Sequence, residues 1–521
     1  MRKCASECIT IPEKIHSLAR LACIRPTSKC VKGLILYLQN GYNAIDRKVM
    51  PSVLFEQRST MKSLHVFNSS LVKFLLGALL CVPAVASAQT DDEWGQWMGP
   101  NRDGVYSESG VIDAIPESGL KIKWRMPING GYAGPAVADG KVFVFDFKRA
   151  DGKAFNHPTK RVELKGEERL IVLDAKTGEE KWVHKYECDY NISYPAGPRC
   201  TPTVDGEHVY ILGSEGDFRC LKIEDGDLVW KKNLKTDFGV EAPLWGFSSH
   251  PLVDGDLIYS MVGGKGQGVV AFNKLTGDVQ WKALDCKAGY CPPTIIEKGG
   301  ARQLIIFQPE GVTSLNPTNG SQYWNVPLKP KYEMSICRPM LSGDMLYASG
   351  IGTASVMIQL DDSKPAATEL WRGNPRNSVF SANATAMFVD GTIYGSDCQM
   401  GSLIAADGKT GERLWTTFDA TDPTQKRRLN HGTAFLTRIG TSNRYFVMSE
   451  VGDLLVVELT PEKYVSKGRF HVLEPSGEAF GRPVVWSHPA YANRTAYIRN
   501  DKEIVAVDLA ADASAAGSTN R

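Results

Sequence analysis

Seven polar side chains recur along the chain, each just before or at the start of a short apolar strand. They are Arg199, His250, Tyr290, Arg338, Asn383, His431 and Arg482, and the aromatic residues Tyr190, Tyr194, Trp245 and Phe247 lie in the same loops. Guanidinium and imidazole groups around one opening could bind an anionic ligand or an acidic peptide through charge-assisted hydrogen bonds. The sequence thus predicts a ligand-binding role for the seven, against the alternative that they are polar strand ends satisfied by neighbouring backbone.

Motifs for the common enzyme chemistries are absent from the sequence. It has no Gly-x-Ser-x-Gly turn, no His-Glu-x-x-His pair and no phosphate-binding loop with lysine. The sequence also lacks a Cys-x-x-Cys pair with partner histidines, so a structural zinc site is not expected. Asp361-Asp362 is interpreted as solvated surface, and Gly263–Gly268 as a flexible hairpin. We therefore predict no catalytic residue and no metal ligand.

The loops that carry these polar residues belong to a repeated segment. Its clearest copies end at Trp182, Trp281 and Trp415, and successive repeat tryptophans from Trp182 to Trp415 are 43–51 residues apart. Each copy has an apolar strand, an Asp or Asn that can bond the turn backbone, a glycine suited to positive φ, and a second strand ending in Trp. The tryptophans predicted to pack between neighbouring sheets are Trp124, Trp182, Trp230, Trp281, Trp324, Trp371 and Trp415.

The repeat predicts an all-β fold. Two further strands precede each copy, one opened by a Gly-Asp or Asp-Gly turn and one that often begins at proline. Four short strands per repeat are typical of a propeller blade. The strand that ends in Asp or its equivalent occurs eight times, which predicts an eight-bladed β-propeller of four-stranded antiparallel blades over residues 121–509.

The two ends of the repeat region are incomplete in complementary ways. Lys121–Trp124 is a Trp strand without a preceding partner, and Ile504–Asp508 has no Trp strand after it. We predict that the N-terminal strand closes the ring by pairing with the C-terminal blade, because closure removes two exposed sheet edges.

The repeat A-x-D-x-x-T-G-x-x-x-W resembles the Trp-docking repeat of the pyrroloquinoline-quinone (PQQ) propeller family, over about Trp94 to Asp508. Trp94-x-x-Trp97-x-Gly99-Pro100-Asn101-Arg102-x-Gly104 is similar to the N-terminal segment of a group of exported bacterial members. That superfamily contains quinoprotein dehydrogenases, a non-enzymatic outer-membrane assembly factor and many propellers of unassigned function, so the fold does not set the function.

The resemblance implies what a dehydrogenase of the family would need. Such enzymes place a disulfide between adjacent cysteines above PQQ and hold calcium with Glu and Asn. This chain has no two adjacent cysteines and no Cys-x-x-Cys-His haem motif. We expect a non-catalytic scaffold without a cofactor that binds a ligand or protein at its funnel. A periplasmic dehydrogenase using PQQ with calcium is one alternative, and an outer-membrane assembly factor is another.

Residues 61–88 have the pattern of a secretory signal peptide. Lys62 follows Met61, an apolar run covers Phe74–Val82, and Ala86-Ser87-Ala88 is a typical cleavage site. Leu80 before Cys81 argues against lipidation. We therefore expect residues 1–60 to be a non-native upstream extension and the protein to reach the periplasm or the exterior. N-terminal sequencing of exported protein should begin near Gln89, and a mature form that retains residues 1–60 would contradict this.

Composition narrows the partners. After residue 88 the chain holds 48 basic and 54 acidic residues, which argues against a nucleic-acid-binding face. No other apolar run could span a bilayer. Seven cysteines follow the leader, and Cys286 and Cys291 are close enough in sequence for a local disulfide. We expect a monomer with an N-terminal segment at 89–120 and a disordered tail at 510–521.

Overall fold

The computed structural model describes residues 93–425 and 427–511, and these form eight antiparallel blades with very little helix. The expected signal peptide and upstream extension lie outside the described residues, as do residues 512–521 of the expected tail. Ala510 and Ala511 were also expected to be disordered, but Ala510 bridges Val111 and the amide of Ala511 donates to Gly110. The eight-bladed, all-β architecture confirms the prediction from the repeat.

Two strands precede blade 1 in the sequence and pair with blades 7 and 8. Those strands are β1 (Val105–Tyr106) and β2 (Ile122–Pro127). Blade 1 has β3 (Ala136–Ala138), β4 (Lys141–Asp151), β5 (Val162–Asp174) and β6 (Glu180–Glu187), with β7 (Tyr190–Ile192) added to β5. Blade 2 has β8 (Thr203–Asp205), β9 (His208–Leu212), β10 (Asp217–Lys222) and β11 (Leu228–Asn233), followed by α1 (Leu234–Phe238). Blade 3 has β12 (Leu252–Asp254), β13 (Leu257–Met261), β14 (Val269–Asn273) and β15 (Val279–Ala283). Blade 4 has β16 (Thr294–Lys298), β17 (Ala301–Gln308), β18 (Gly311–Leu315) and β19 (Gln322–Pro327), then a 3₁₀ turn at Lys331–Glu333.

The second half of the ring recruits β1 and β2. Blade 5 has β20 (Met340–Ser342), β21 (Met345–Gly350), β22 (Ala354–Leu360) and β23 (Ala367–Arg372). Blade 6 has β24 (Met387–Val389), β25 (Thr392–Asp397), β26 (Ser402–Asp407) and β27 (Arg413–Thr417). Blade 7 has β28 (Ala434–Ile439), β29 (Arg444–Ser449), β30 (Asp453–Leu459) and β31 (Tyr464–His471), with β1 parallel to β28. A separate hairpin, β32 (Gly477–Ala479) and β33 (Arg482–Val484), precedes blade 8, which has β34 (Ala490–Ala492), β35 (Thr495–Arg499), β36 (Glu503–Asp508) and β2.

Ring closure occurs as the sequence predicted. Strand β2 is the fourth strand of blade 8, and it pairs antiparallel with β36 so that Trp124 lies opposite Ala506. A bulge between Ile122 and Trp124 repeats the irregularity seen before the tryptophan in six other blades. The N-terminal strand therefore completes the last blade with the same geometry that the other blades build from contiguous chain.

The repeat tryptophans dock each blade on the next. The indole Nε1 of Trp124 donates to Ala175 O at 3.1 Å in the turn of blade 1, and Trp230 donates to Lys274 O at 2.8 Å in blade 3. Gly178 in the first of these turns has a φ of +75°, and a Cβ there would lie 2.7 Å from the Trp124 ring. Glycine is therefore required twice over, by the backbone conformation and by the contact with the ring.

Burial of the docking tryptophans is uneven. Trp124, Trp230 and Trp324 are at most 9% exposed, whereas Trp182, Trp281, Trp371 and Trp415 are only partly buried. Trp324 differs in its hydrogen bond, which goes to Gln303 Oε1 of its own blade at 2.7 Å. The neighbouring turn has Pro365 where the turns of blades 1–4 and 6 have glycine.

Replacing Trp230 by Ala is expected to cost about 3–5 kcal/mol of unfolding free energy, because a buried ring and its interblade hydrogen bond are lost. Trp182→Ala should cost less, since Trp182 is partly exposed. Trp230→Phe, which keeps most of the ring bulk, is the control and should lose roughly 1 kcal/mol or slightly more. Urea unfolding followed by circular dichroism measures all three, and equal stability of wild type and Trp230→Ala would contradict the docking role.

Candidate ligand-binding pocket

The segment 93–106, here called the central plug, contacts every blade. Trp94 exchanges backbone hydrogen bonds with Val137 of blade 1, and the carbonyl of Gly95 accepts from Val204 of blade 2. Further along, the carbonyl of Gly104 accepts from Arg438 of blade 7, and the ring of Tyr106 lies 5.8 Å from that of Tyr491 in blade 8. The plug therefore crosses the middle of the ring.

Arg102 connects the plug to the blades on the far side. Its side chain, 2% exposed, donates to the carbonyls of His250 at 3.1 Å, Pro293 at 3.3 Å and Pro251, which precede the inner strands of blades 3 and 4. Its own carbonyl accepts from Arg338 of blade 5 at 2.7 Å. Burial, followed by repulsion from Arg338, lowers the pKa of Arg102 to about 9. The side chain of Arg102 therefore links the segments before blades 3 and 4, and its carbonyl adds a contact with Arg338 before blade 5.

Next to the plug lies a cavity of about 400 Å³, here called the central pocket. Its lining is dominated by aromatic rings: Trp97, Tyr132, Tyr194, Trp245, Tyr290, Tyr332, Phe480 and Trp486. Trp97 comes from the plug, is 3% exposed, and stacks on His250 with ring centroids 5.0 Å apart. Its Nε1 has no hydrogen-bond partner among the described residues, and neither does Nδ2 of Asn383, which also lines the pocket.

Five of the seven predicted site residues line the central pocket: Arg199, His250, Tyr290, Asn383 and His431. Arg338 and Arg482 do not line it. Arg338 instead donates to the plug carbonyl of Arg102 and, at 2.7 Å, to Thr294 Oγ1. Burial lowers the pKa of the Arg338 guanidinium. We therefore correct its assignment from ligand contact to support of the plug.

Arg482 was placed by a wrong strand assignment. Arg482 stands before Pro483, where the proline pattern of the repeat predicts the last inner strand, but that strand is β34, Ala490–Ala492. The residue two positions before it is His488, which lines the pocket as His250 does two positions before β12. The sequence signal was available, because Ser487-His488-Pro489 repeats Ser249-His250-Pro251.

Arg482 instead helps to hold the pocket wall. It forms a two-pronged ion pair with Glu450, at 2.9 Å from Nε to Oε1 and 3.2 Å from Nη2 to Oε2. The same carboxylate accepts from Trp486 Nε1 at 3.2 Å and from the amide of Thr433 at 3.0 Å. Burial raises the pKa of Glu450, with the Arg482 hydrogen bonds opposing the shift. Glu450 thus positions Trp486 and the β32–β33 hairpin, whose tip carries Phe480.

The expectation of a basic opening is not met. Among the described lining residues Arg199 is the one guanidinium, and it donates to the carbonyl of Ser193 at 2.9 Å, to the carbonyls of Tyr194 and Gly197, and to Ser214 Oγ at 3.2 Å. It also lies 5.1 Å over the Tyr132 ring. These hydrogen bonds hold the guanidinium of Arg199 against the loops that shape the pocket.

The pocket histidines are held neutral. Burial lowers the pKa of His488 to about 4, and burial together with Arg482 lowers that of His431 to about 4. Burial, Arg102 and His488 lower the pKa of His250 well below its usual value. Nδ1 of His250 accepts from the amide of Thr201 at 2.8 Å, so its Nε2 carries the proton. Protonation of these histidines near pH 6.5 is therefore opposed by the fold.

The depressed histidine pKa values predict a pH dependence of stability. In the unfolded chain His488 is protonated below about pH 6.5, whereas in the folded protein it is protonated only below about pH 4. The free energy of unfolding therefore decreases as the pH falls from 6.5 to 4. Each such histidine contributes about 1.4 kcal/mol per pH unit. Glu168 and Glu450 have raised pKa values and act in the opposite direction, so the test compares two proteins.

We expect wild type to lose about 1.4 kcal/mol per pH unit more than His488→Gln between pH 6 and pH 4.5. Denaturant unfolding of both proteins across that range measures the difference. His157→Gln is the matched control, since His157 lies in an exposed loop. Parallel stability curves for wild type and His488→Gln would mean that His488 titrates normally in the folded state.

Two further expectations can be compared with the structure. All seven described cysteines are free, so the local disulfide between Cys286 and Cys291 is not formed. Of the aromatic residues noted beside the site, Tyr194 and Trp245 line the pocket, whereas Tyr190 donates to buried Glu168 at 2.6 Å and Phe247 packs in the core.

Within residues 93–425 and 427–511 no cluster of three metal-ligating side chains occurs, and no helix is long and apolar enough to cross a bilayer.

Comparisons with known proteins agree with this architecture. A family model described as outer membrane protein assembly factor BamB matches residues 166–417. The crystal structure of BamB from Moraxella catarrhalis is 14% identical and covers 75% of this chain and 97% of its own, with a TM-score of 0.47. Quinohemoprotein alcohol dehydrogenase from Comamonas testosteroni is 12% identical and covers 82% of each chain, with a TM-score of 0.51. No curated protein sequence matches significantly. Residues 166–417 thus match a model of the PQQ-like β-propeller family, and the described residues have the fold of that family.

Proposed function

We propose that this protein is a non-catalytic binding module that holds a flat, uncharged ring compound in its central pocket. The observation that carries the proposal is the lining itself, in which eight aromatic side chains surround about 400 Å³. Aromatic faces attract flat rings by stacking and by burial of apolar surface. Two buried donors of the lining, Trp97 Nε1 and Asn383 Nδ2, have no hydrogen-bond partner among the described residues. They favour a ring that bears carbonyl or ether oxygens.

The pocket does not fit calcium-bound PQQ, the cofactor that the family resemblance implies. PQQ carries three carboxylates, and calcium needs several oxygen ligands, of which carboxylates are the usual source. No Asp or Glu belongs to the described lining, and Arg199 already donates to three carbonyls and a hydroxyl. An anionic quinone would lose its hydration and find four of the five N–H donors of Arg199 already in use. For the same reason an anionic ligand in general is disfavoured.

Lack of catalysis is supported by the arrangement of the pocket's own groups. Ser248, Thr159 and Thr385 supply hydroxyls and three histidines supply imidazoles, but in the described part of the chain no such hydroxyl hydrogen-bonds one of these imidazoles. A hydroxyl nucleophile needs an adjacent base of this kind to be activated. The lining therefore favours holding a ligand over transforming it.

The test is a titration of the purified protein with coumarin, coumarin-3-carboxylate, and PQQ with calcium. We expect saturable quenching of tryptophan fluorescence by coumarin and at least tenfold weaker binding of the carboxylate, with no dye-linked alcohol oxidation. Trp245→Ala should weaken coumarin binding about tenfold, because one wall of the pocket is removed. Trp182→Phe, at a blade junction, is the control and should leave the affinity unchanged. Tight binding of PQQ with alcohol oxidation would instead establish a dehydrogenase.

A second candidate function is the docking of a partner protein at the mouth of the pocket. It is favoured by three exposed aromatic side chains, Phe155, Tyr332 and Phe480, which are 48–69% exposed. The described loops around them are joined by a hydrogen bond of 2.5 Å from Asn156 Nδ2 to Glu478 O. The family model's description, an assembly factor, is in keeping with this role. Co-purification of a partner that is lost in Phe155→Ser, with coumarin binding intact, would support docking, because Phe155 does not line the central pocket.

We also propose that the protein is exported, on the basis of the signal-like segment 61–88. A small-molecule binding module outside the cytoplasm would meet its ligand without a transport step into the cell. Fractionation of cells that produce the full chain tests this, and protein found wholly in the cytoplasm would contradict it.

A further inference from the structure

A second cavity adjoins the central pocket. It has a volume of about 760 Å³ and is here called the side groove. Its lining includes the apolar residues Val240, Ala242, Leu244, Val262, Ala288 and Pro330. We propose that the ring compound carries an apolar chain and that this chain lies in the side groove, an inference that rests on the proposed function of the central pocket.

The two cavities share part of their lining. Pro158, Thr159, Trp245, Tyr290 and Tyr332 line both of them. The rings of Trp245 and Tyr290 meet edge to face with centroids 5.8 Å apart, where the two linings coincide. A chain attached to a ring in the central pocket would reach the groove past these shared residues.

Three of the four charged residues that line the groove have partners among the described residues. Arg161 donates to the carbonyls of Asn191 and Ala242, each at 2.7 Å. Lys287 forms an ion pair of 2.7 Å with Glu333, and both side chains are at least half exposed. The fourth charged residue, Glu241, is exposed and would repel an anion, while the apolar wall lowers the free energy of a buried hydrocarbon. The chemistry favours an alkyl or prenyl-like chain over a peptide or an anion.

The junction between the cavities is also built from strained backbone. Tyr332 and Glu333 are consecutive non-glycine residues with φ of +61°, a conformation that costs free energy in L-residues. Such strain persists only where the surrounding structure enforces it. It holds Tyr332, 69% exposed, at the place where the groove and the pocket meet. The side chain is thereby available to cover a chain that passes beneath it.

The experiment compares coumarin with 7-alkoxycoumarins whose chains have two to eight carbons, using the full protein and calorimetry. We expect the affinity to rise about threefold per methylene until the groove is filled. Leu244→Trp, which narrows the groove, and Val240→Glu, which places a charge in it, should each abolish this rise while coumarin itself binds as before. Leu228→Trp is the matched control, because Leu228 is exposed on the outer strand of blade 2.

The outcomes separate the two proposals. If coumarin binds and chain length has no effect in the wild-type protein, the side groove inference is wrong and the proposed function stands. If the affinity rises with chain length equally in Leu244→Trp and Val240→Glu, the chain lies elsewhere and the inference is also wrong. If neither coumarin nor any alkoxycoumarin binds, the proposed function fails and the inference fails with it.

Discussion

Replacing Arg102 by Met is expected to lower the unfolding free energy by about 3–5 kcal/mol and to abolish ligand binding in the central pocket. Hydrogen bonds that involve a buried charged group are worth about 1.5–3 kcal/mol each, and their loss leaves buried carbonyls without donors. Arg102 makes such bonds to the carbonyls before the inner strands of blades 3 and 4, and to Gln96 Oε1 at 2.7 Å. Methionine fills part of the volume but restores no donor.

The consequence for binding follows from the plug. Trp97 and Arg102 belong to the same segment, and Trp97 lines the pocket, so release of the Arg102 contacts should displace an aromatic ring from it. Arg102→Lys keeps the charge but replaces a planar five-donor group by a compact ammonium, so it should recover only part of the stability. Denaturant unfolding and coumarin titration measure both effects.

The matched control is Arg302→Met. Arg302 lies on blade 4, is half exposed and pairs with Asp254 at 2.6 Å. Exposed ion pairs are worth at most about 1 kcal/mol, so this variant should remain near wild-type stability and should bind coumarin normally. An Arg102→Met protein as stable as Arg302→Met would show that the plug does not depend on Arg102.

Removal of every residue after Trp486 is expected to prevent formation of a soluble monomer. The deletion takes away β34, β35 and β36 and leaves β2 without the strand that it pairs with. The ring then opens with a free strand edge on each side, and such edges pair with other chains. Blades 7 and 1 each lose the neighbour that blade 8 provides. We therefore expect loss of cooperative unfolding as well as aggregation.

A control protein that ends at Ala511 keeps every described residue of blade 8 and its contact with Gly110. It should remain soluble and unfold at the wild-type temperature. Size-exclusion chromatography and thermal unfolding distinguish the two truncations. A protein ending at Trp486 that stays monomeric and melts like wild type would show that closure by β2 is not required.

Some of the predicted site residues line the pocket and others do not, and the difference shows what the sequence could predict. His250 and Tyr290 both line the pocket, because each lies shortly before an inner strand of a regular blade. Arg482 was misplaced because the β32–β33 hairpin interrupts the pattern before blade 8. The side chain of Arg338 lies just before its strand as predicted, yet it turns to the plug, since the carbonyl of Arg102 is available there.

Local sequence determined the blades. The Asp or Asn, the glycine and the tryptophan of each repeat act through contacts within one turn or with the adjacent turn, so their spacing predicts strand pairs, blade number and the closing strand. Trp124, unpaired in its own segment, was enough to predict its partner in β36.

The character of the site was decided by tertiary structure. Arg199 is basic in the sequence, but its donors are taken by carbonyls from its own and neighbouring loops, and the histidines are neutral because the fold buries them. The position of Trp97 depends on a plug that touches all eight blades, which no local pattern encodes. Charge and hydrogen-bonding capacity depend on which groups meet in space, and this is the physical reason that a predicted basic funnel is an aromatic pocket.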